Sequence, residues 1–280
     1  MIRSGGRPRI TKQEWVKYAA LFVLAVAAFG VAAIALMGPR GAGEALPVPA
    51  TTLAATPTGA TASPTPTPTP TATAAATVRQ LSIELPAEPV LLIVGDSYTA
   101  GVGADQPDQG WANLVAGQLG YPTNIDGVPG TGFAWGGGEQ DEQGGEYEVR
   151  LREIAANPAF VPNLLILQGG QNDSLVPDPA EVEAATAQTI EAARRFWPGV
   201  QVVVLGPSAP QPAAEELRGA NSAIRAGAAA AGAPFVNALE AGWFTSANSP
   251  DLNFDGIHPN TAGHAYIAEK FLESWARLTQ

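Results

Sequence analysis

From about residue 85 onward, short apolar runs alternate with longer segments of helical periodicity. A short apolar run bounded by turn-forming residues is typical of a buried strand. Such runs lie at residues 89–94, 123–126, 163–168, 200–205 and 234–237. Helices are predicted at residues 109–119, 146–156, 179–196, 213–231 and 261–278. Buried strands that alternate with helices predict an α/β fold, with a parallel sheet covered by helices on both faces.

A different pattern precedes this region, because residues 18–37 form an apolar run of twenty residues without a charge. A helix of that length spans about 30 Å, which is the thickness of a bilayer core. Five basic residues and one acidic residue precede the run, so the positive-inside rule predicts a cytoplasmic basic tail at residues 1–17. Residues 18–37 therefore predict a transmembrane anchor. A cleaved signal peptide is the alternative, although its apolar region is usually shorter.

The segment between the anchor and the first strand, residues 38–84, has the composition of a disordered linker. Proline alternates with threonine at residues 64–71, a pattern that favours extended polyproline II conformation. The segment holds too little apolar surface to bury a core of its own. Residues 78–84 have two interpretations, as the end of the linker or as an arm that lies on the domain. The folded domain is predicted at residues 85–280.

Charge and cysteine content exclude several classes of protein. The chain carries a formal net charge of −11. Residues 1–45 hold six of its fifteen basic residues but two of its twenty-six acidic residues, which leaves a charge of −15 on the remainder. So acidic a domain argues against nucleic-acid binding, which requires basic surface. The absence of cysteine from the sequence excludes disulfides, thiolate metal sites and a cysteine nucleophile.

The first predicted strand runs into the sequence Gly95-Asp96-Ser97, and glycine returns at position 101. A serine at the carboxyl end of a buried strand lies where open α/β sheets bind their ligands. A helix that began just after it would place free backbone N–H groups beside the hydroxyl. Ser97 is therefore a candidate nucleophile. The alternative is that Ser97 only caps that helix, since serine and aspartate are favoured N-cap residues.

The sequence contains two histidines, His258 and His264, as candidates for the general base that a serine nucleophile requires. Asp255 precedes His258 by three positions in a loop bounded by glycine and proline. This spacing lets the carboxylate orient the imidazole and stabilise its protonated form. His258 is therefore preferred as the base, with Asp255 as its partner. His264, near the start of the last helix, is interpreted as a helix-surface or core histidine.

Two glycine-rich segments follow other predicted strands and supply candidate hydrogen-bond donors for an oxyanion. Residues 127–132 offer backbone N–H groups. Asn172, in the segment 169–173, offers its side-chain amide. Each segment alone is weak evidence, because glycine-rich turns usually serve the geometry of the chain. Together with a serine and an Asp–His pair, the two segments point to acyl transfer.

A calcium-binding loop is a competing interpretation of residues 251–256, whose sequence fits the first half of such a loop. The twelfth position of the loop would be Ala262, where a calcium loop requires a bidentate glutamate. No helix is predicted immediately before Asp251, although calcium loops of this kind connect two helices. We therefore expect neither a metal nor another cofactor.

The strand-end segments together resemble the four signature blocks of the SGNH, or GDSL-type, hydrolase family in order and approximate spacing. Tyr98 stands where the family name has leucine, at a position that is not catalytic. The resemblance covers about residues 88–280 and implies a three-layer α/β/α fold with a flavodoxin-like parallel sheet. The matching positions are Gly95-Asp96-Ser97 with Gly101, then Gly130, then Gly170-Gln171-Asn172-Asp173, then Asp255-Gly256-Ile257-His258-Pro259.

Carried over residue by residue, the resemblance implies Ser97 as the nucleophile, His258 as the base and Asp255 as its orienting partner. It implies an oxyanion hole made by the Ser97 N–H, Gly130 and Asn172. The predicted activity is that of a membrane-anchored, extracytoplasmic serine esterase or deacylase that works through an acyl-serine intermediate. The expected substrate is a small-molecule or glycan ester, including O-acetylated glycans.

Two other functions are compatible with the same sequence. An O-acyltransferase would use the same residues to transfer the acyl group to an acceptor sugar. A catalytically silent binding module on a stalk would use the fold alone, which the filled catalytic positions disfavour. The protein is expected at the cell membrane, or secreted if the N-terminal segment is cleaved.

Overall fold

Residues 81–137 and 144–280 are described by the computed structural model of the protein. The predicted basic tail, the predicted membrane span and most of the predicted linker lie outside these residues. Within the described ranges, no helix combines the length and the apolar character that a membrane crossing requires. The fold described below is therefore that of the predicted C-terminal domain.

Five parallel strands form the sheet of this domain. They are β1 (Leu91–Gly95), β2 (Thr123–Gly127), β3 (Leu164–Gln168), β4 (Gln201–Leu205) and β5 (Phe235–Val236). Their order across the sheet is β2-β1-β3-β4-β5, and every neighbouring pair is parallel. This is the order of flavodoxin-like sheets, in which the strand order reverses between β1 and β3. The parallel sheet predicted from the alternating pattern is confirmed.

Four helices connect the strands, two more follow β5, and side-chain caps mark the start of two of the six. They are α1 (Trp111–Leu119), α2 (Tyr147–Ala155), α3 (Pro179–Phe196), α4 (Arg218–Ala230), α5 (Ser249–Leu252) and α6 (Thr261–Leu278). The Asp178 carboxylate accepts the Ala180 N–H at the start of α3. The Asn260 side chain accepts the Gly263 N–H at the start of α6. Because these side chains satisfy N–H groups without an intrahelical partner, α3 and α6 begin at the predicted residues.

Two helical segments differ from the pattern-based prediction. The helix predicted at residues 213–231 begins as a 3₁₀ helix, Ala213–Leu217, and continues as α4. The short helix α5 has four residues and was not predicted, because so short a segment carries no helical periodicity. Its presence places a helical turn immediately before the loop that contains Asp255 and His258.

Alternate side chains of the central strands enter two separate cores. Leu91 and Ile93 of β1 pack into the core under α1 and α6. Leu92 and Val94 pack into the core under α2, α3 and α4. All four side chains are fully buried, as expected for a parallel strand that is covered on both faces. The domain therefore has three layers, α/β/α, as the sequence predicts.

Residues 81–85 form an arm along the amino edge of the sheet. The Ile83 N–H donates to the Leu278 carbonyl at 2.8 Å, and the Ile83 side chain is buried in the core under α6. The Glu84 N–H donates to Gln201 Oε1 at 2.7 Å, and the Gln201 amide donates back to the Glu84 carbonyl. Gln201 is the first residue of β4, so the chain enters the domain at the amino ends of the strands.

The carboxyl ends of β1, β2 and β3 lie side by side at the opposite edge. The register pairs Gly95 with Gly127, and Val94 with Leu167. The loops that follow these strands therefore meet at one edge, at the point where the strand order reverses. This is the position at which open α/β sheets bind ligands, and it contains the strand-end residues that the sequence predicts.

Candidate active site

Ser97, His258 and Asp255 form a chain of hydrogen bonds at the carboxyl edge of β1. The Ser97 Oγ lies 3.1 Å from His258 Nε2. The His258 Nδ1 lies 2.8 Å from Asp255 Oδ2. Ser97 is 7% exposed, so most of the residue is covered by its neighbours. The structure thus brings together the three residues predicted as nucleophile, base and orienting partner.

The loop around Asp255 holds the carboxylate against the imidazole. Its Oδ1 accepts the N–H groups of Ile257 and His258, at 3.0 and 2.8 Å, while its Oδ2 faces the ring. Partial burial raises the pKa of Asp255, but the hydrogen bonds from His258 and Ile257 outweigh burial and leave the pKa below its ordinary value. The positive φ of Gly256, 97°, permits the tight turn. Asp255 is therefore held as the carboxylate that an imidazolium requires.

The same contacts bear on the calcium-loop interpretation. Asn253 Oδ1 accepts the Gly256 N–H at 2.7 Å. Both oxygens of Asp255 are engaged by the turn and the imidazole. Side-chain oxygens that a calcium loop would direct at a cation are thus used within the loop itself. The loop is organised around His258.

His264 is fully buried, and its ring bonds to backbone groups rather than to Ser97. Its Nδ1 accepts the Trp111 N–H at 3.3 Å, and its Nε2 lies 2.9 Å from the Val102 carbonyl, to which it donates. Burial lowers the pKa of His264, which favours the neutral ring that these two contacts require. Both ring nitrogens are occupied by backbone groups, so His264 connects α6 to α1 and to the turn after Ser97.

The predicted oxyanion donors lie on the turns that follow β1, β2 and β3. Neither the Ser97 N–H nor the Gly130 N–H donates a hydrogen bond to another described residue. Gly130 has φ +83°, and a Cβ there would meet open space. The Asn172 amide donates one of its two hydrogens to the Thr131 carbonyl at 2.8 Å, which leaves the other for a ligand. The Val128 N–H donates to the Gly95 carbonyl at 3.0 Å and so joins the Gly130 loop to β1.

The helix considered as a neighbour of Ser97 does not form. Residues 97–103 are a series of turns, and α1 begins at Trp111. The Asp96 carboxylate accepts the Tyr98 N–H at 2.9 Å, and the Val102 N–H donates to the Ser97 carbonyl at 2.9 Å. These contacts close the turn locally, so Asp96 stabilises a turn rather than the start of a helix. The Ser97 hydroxyl faces His258 and not a helix terminus.

A buried polar cluster beneath Ser97 escaped the sequence analysis. Gln168, the last residue of β3, donates to Asp96 Oδ2 at 3.2 Å and to Gln171 Oε1 at 3.0 Å. Its own Oε1 accepts the Thr99 hydroxyl at 2.7 Å. Complete burial raises the pKa of Asp96 to about 7, although the Tyr98 N–H and the Gln168 amide favour the ionised form. The cluster fixes the turn that carries Ser97 to the end of β3.

Tyr98, at the position where the family name has leucine, joins the nucleophile turn to the histidine loop. Its side chain is 1% exposed, and its hydroxyl donates to the Ile257 carbonyl at 2.5 Å. The Tyr98 and His258 ring centroids are 5.9 Å apart. A leucine would be apolar and smaller, and it could not donate this hydrogen bond. Tyr98 thus contributes a polar contact at a position that sequence reasoning treated as non-catalytic.

Asp173 supports the loop that follows Gly130. Its Oδ1 accepts the Ala134 N–H at 2.8 Å, and a Cβ at Gly132 would come within 2.5 Å of its carboxylate. Burial raises the pKa of Asp173, while backbone N–H groups of the loop act in the opposite direction. Asn172 and Asp173 therefore each contact this loop. The sequence feature that could have identified Asp173 is its position in the glycine-rich segment 169–173.

A serine, a histidine and an aspartate joined in this order at the carboxyl edge of a parallel sheet define a class, the serine hydrolases. Residues 93–266 match the model of the GDSL-like Lipase/Acylhydrolase family. The chain belongs to this family and is an SGNH/GDSL-type hydrolase, so the resemblance seen in the signature blocks is confirmed.

One relative agrees with this family in sequence, and two solved structures share the fold. The chain is 28% identical over 207 residues to a GDSL lipase of Mycobacterium tuberculosis, covering 69% of this chain and 83% of the relative. A carbohydrate acetylesterase from Sinorhizobium meliloti, Est24, has the same fold with a TM-score of 0.50 and 18% identity, covering 68% and 99%. A family two carbohydrate esterase from Clostridium thermocellum gives a TM-score of 0.52 and 18% identity, covering 69% and 64%.

Because the Asp96 carboxyl is buried, we expect its protonation to make the free energy of unfolding depend on pH. Its pKa of about 7 in the fold lies above the ordinary 3.8, so the folded state binds a proton more readily than the unfolded state. The stability that Asp96 contributes is therefore present at low pH and is lost as pH rises from about 4 through about 7. The Asp96→Asn variant cannot ionise at this position. We expect its Tm relative to wild type to rise between pH 5 and pH 8.

Thermal denaturation of wild type and Asp96→Asn from pH 5 to pH 8 measures the difference in Tm. The titration of other groups affects both proteins equally and cancels in this difference. Asp105→Asn, on the exposed surface, controls for the change of one unit of net charge. A difference between Asp96→Asn and wild type that is constant from pH 5 to pH 8 would contradict the assignment.

Proposed function

We propose that the protein is a serine esterase or deacylase in which Ser97 attacks an ester carbonyl and His258 is the general base. The observation that carries this proposal is the continuous hydrogen-bond chain from Ser97 Oγ through His258 to Asp255. The hydroxyl of serine is a weak nucleophile at neutral pH and needs an adjacent base that is itself oriented. Asp255 supplies that orientation, because it contacts the ring nitrogen opposite the one that faces Ser97.

The reaction proceeds in two halves. Ser97 Oγ bonds to the carbonyl carbon while its proton passes to His258 Nε2. The carbonyl oxygen becomes an oxyanion, which the Ser97 N–H, the Gly130 N–H and the free hydrogen of the Asn172 amide stabilise. The bond to the leaving alcohol then breaks, and His258 returns the proton to the alcohol oxygen. Water repeats the sequence on the acyl-serine and releases the acid.

The substrate class we propose is a neutral ester, with O-acetylated glycans as the first candidates. Two glycan esterases, one named as a carbohydrate acetylesterase, share the fold. The related GDSL lipase of Mycobacterium tuberculosis supports ester hydrolysis more generally. The acidic domain also disfavours anionic substrates, since like charges repel in the encounter.

The outer side of the membrane is the proposed location, with residues 18–37 as the anchor. The uncharged apolar run and the basic residues before it support this proposal, and both lie outside the described residues. Protein extracted from the membrane fraction should have the intact mass of the full chain. A membrane-extracted or secreted form that lacks residues 1–40 would indicate a cleaved signal peptide instead.

Replacement of the nucleophile provides the direct test of the reaction. We expect Ser97→Ala to abolish turnover of a short-chain aryl ester, measured by release of the phenol, while circular dichroism and Tm stay close to wild type. The matched control is Ser274→Ala, which removes a serine hydroxyl bonded to the Lys270 carbonyl on α6. Undiminished hydrolysis by Ser97→Ala would overturn the assignment. Failure of wild type to react with an organophosphonate probe would favour a silent binding module.

Substrate class and acceptor can be tested with the same protein. We expect acetate release from acetylated oligosaccharides, and competition between these oligosaccharides and the aryl ester for one site. Addition of acceptor sugars should leave the yield of free acid unchanged if water is the acceptor. Acetylated sugar formed at the expense of free acetate would show an acyltransferase that uses the same site.

A further inference from the structure

Arg150 is a buried arginine on α2 whose guanidinium reaches three segments of the carboxyl edge. The residue is 6% exposed. Its Nε donates to Asp126 Oδ2 at 3.0 Å, and a terminal nitrogen also donates to the Asp126 carbonyl. The other terminal nitrogen donates to the Gly95 carbonyl at 3.1 Å and to the Thr131 Oγ1 at 2.8 Å. All three guanidinium nitrogens are therefore bonded, as a buried cation requires.

Each acceptor of Arg150 lies next to a part of the site. Gly95 ends β1 two residues before Ser97, and Asp126 is near the end of β2. Thr131 follows Gly130 directly. The guanidinium thus holds the end of the nucleophile strand and the Gly130 loop to one rigid planar group. If Arg150 served only as the ion-pair partner of Asp126, it would not also donate to the Gly95 carbonyl and the Thr131 hydroxyl.

Thr131 extends this network to Asn172. Its hydroxyl donates to the Val128 carbonyl at 2.8 Å while it accepts from Arg150. Its carbonyl accepts the Asn172 amide at 2.8 Å. Thr131 is itself 3% exposed, so these contacts are shielded from competition with water. One residue therefore connects Arg150, the Gly130 turn and the Asn172 side chain.

We propose that Arg150 and Thr131 are positioning residues of the oxyanion hole. Their hydrogen bond sets the Gly130 N–H and the Asn172 amide at the distance from Ser97 that the tetrahedral intermediate requires. This inference rests on the proposed function and assigns to it two residues outside the signature blocks. Hydrogen-bond donors stabilise the transition state only when they are fixed where the negative charge develops. Loosening them should therefore affect the chemical step more than substrate binding.

Thr131→Val is the sharpest test, because valine keeps the shape and the backbone carbonyl but removes the hydroxyl. We expect kcat for an aryl ester to fall roughly 10- to 100-fold, with KM within about twofold of wild type. The affinity for phenylboronic acid, which adds to serine as a tetrahedral anion, should fall in parallel. Thr131→Ser restores the hydroxyl and should recover kcat to within about threefold of wild type.

The control for loss of a buried threonine hydroxyl is Thr186→Val. Thr186 is fully buried on α3, and its hydroxyl bonds to the Val182 carbonyl at 2.8 Å, away from the site loops. Thr186→Val should lower Tm but leave kcat close to that of wild type, unlike Thr131→Val. Arg150→Lys keeps the charge but lacks the planar fork, so we expect a loss of kcat and boronate affinity comparable to that of Thr131→Val.

The outcomes separate this inference from the proposed function. If Ser97→Ala retains turnover, the proposed function fails. If Ser97→Ala is inactive and folded Thr131→Val keeps wild-type kcat and boronate affinity, the positioning role of Thr131 and Arg150 is wrong. A loss in Thr131→Val that Thr131→Ser does not recover, or that Thr186→Val reproduces, also overturns it.

Discussion

Parallel pairing of β1 with β2 on one side and β3 on the other is the constraint on which the site depends. The pairing brings three strand ends to one edge, and the loops that follow carry Ser97, Gly130 and Asn172. Gly95 shows how closely these ends pack, because a Cβ there would lie 2.7 Å from Oε1 of Gln168, the last residue of β3. A register shift of one residue would move Ser97 away from both donor loops and turn the strand's buried faces over.

Two hydrogen-bond networks meet at the serine from different directions. Tyr98 and Asp255 hold the histidine loop, so they govern the position of the imidazole. Arg150 and Thr131 hold the donor loops, so they govern the environment of the carbonyl oxygen. The two networks support different tasks. His258 must accept and return a proton, whereas the oxyanion donors must stay fixed in place.

Sequence reasoning succeeded where the signal is local. It also paired Ser97 with His258 across 161 positions, because a serine nucleophile needs a base and because the signature blocks resemble a known family. It missed polar contacts between distant residues that have no such signature. Apolar runs predicted the strands, and the three-residue spacing of Asp255 and His258 predicted their contact. The Tyr98 hydroxyl, in contrast, meets Ile257 across 159 positions, and Arg150 meets Gly95 across 55. Periodicity reports which side chains are buried, but it does not report which polar group each one meets. The possibility of a helix directly after Ser97 is not realised for a related reason, because the Asp96 side chain closes a turn there.

The arm at residues 81–85 has a practical consequence. Ile83 bonds to the Leu278 carbonyl, so the two ends of the described domain lie together at the amino edge of the sheet. The reacting groups lie at the carboxyl edge, on the far side of the strands. A reporter fused to either end, or a bead coupled there, would lie at the edge of the sheet opposite the reacting serine. The same arrangement suits the domain to immobilised assays, in which a soluble ester approaches a fixed enzyme.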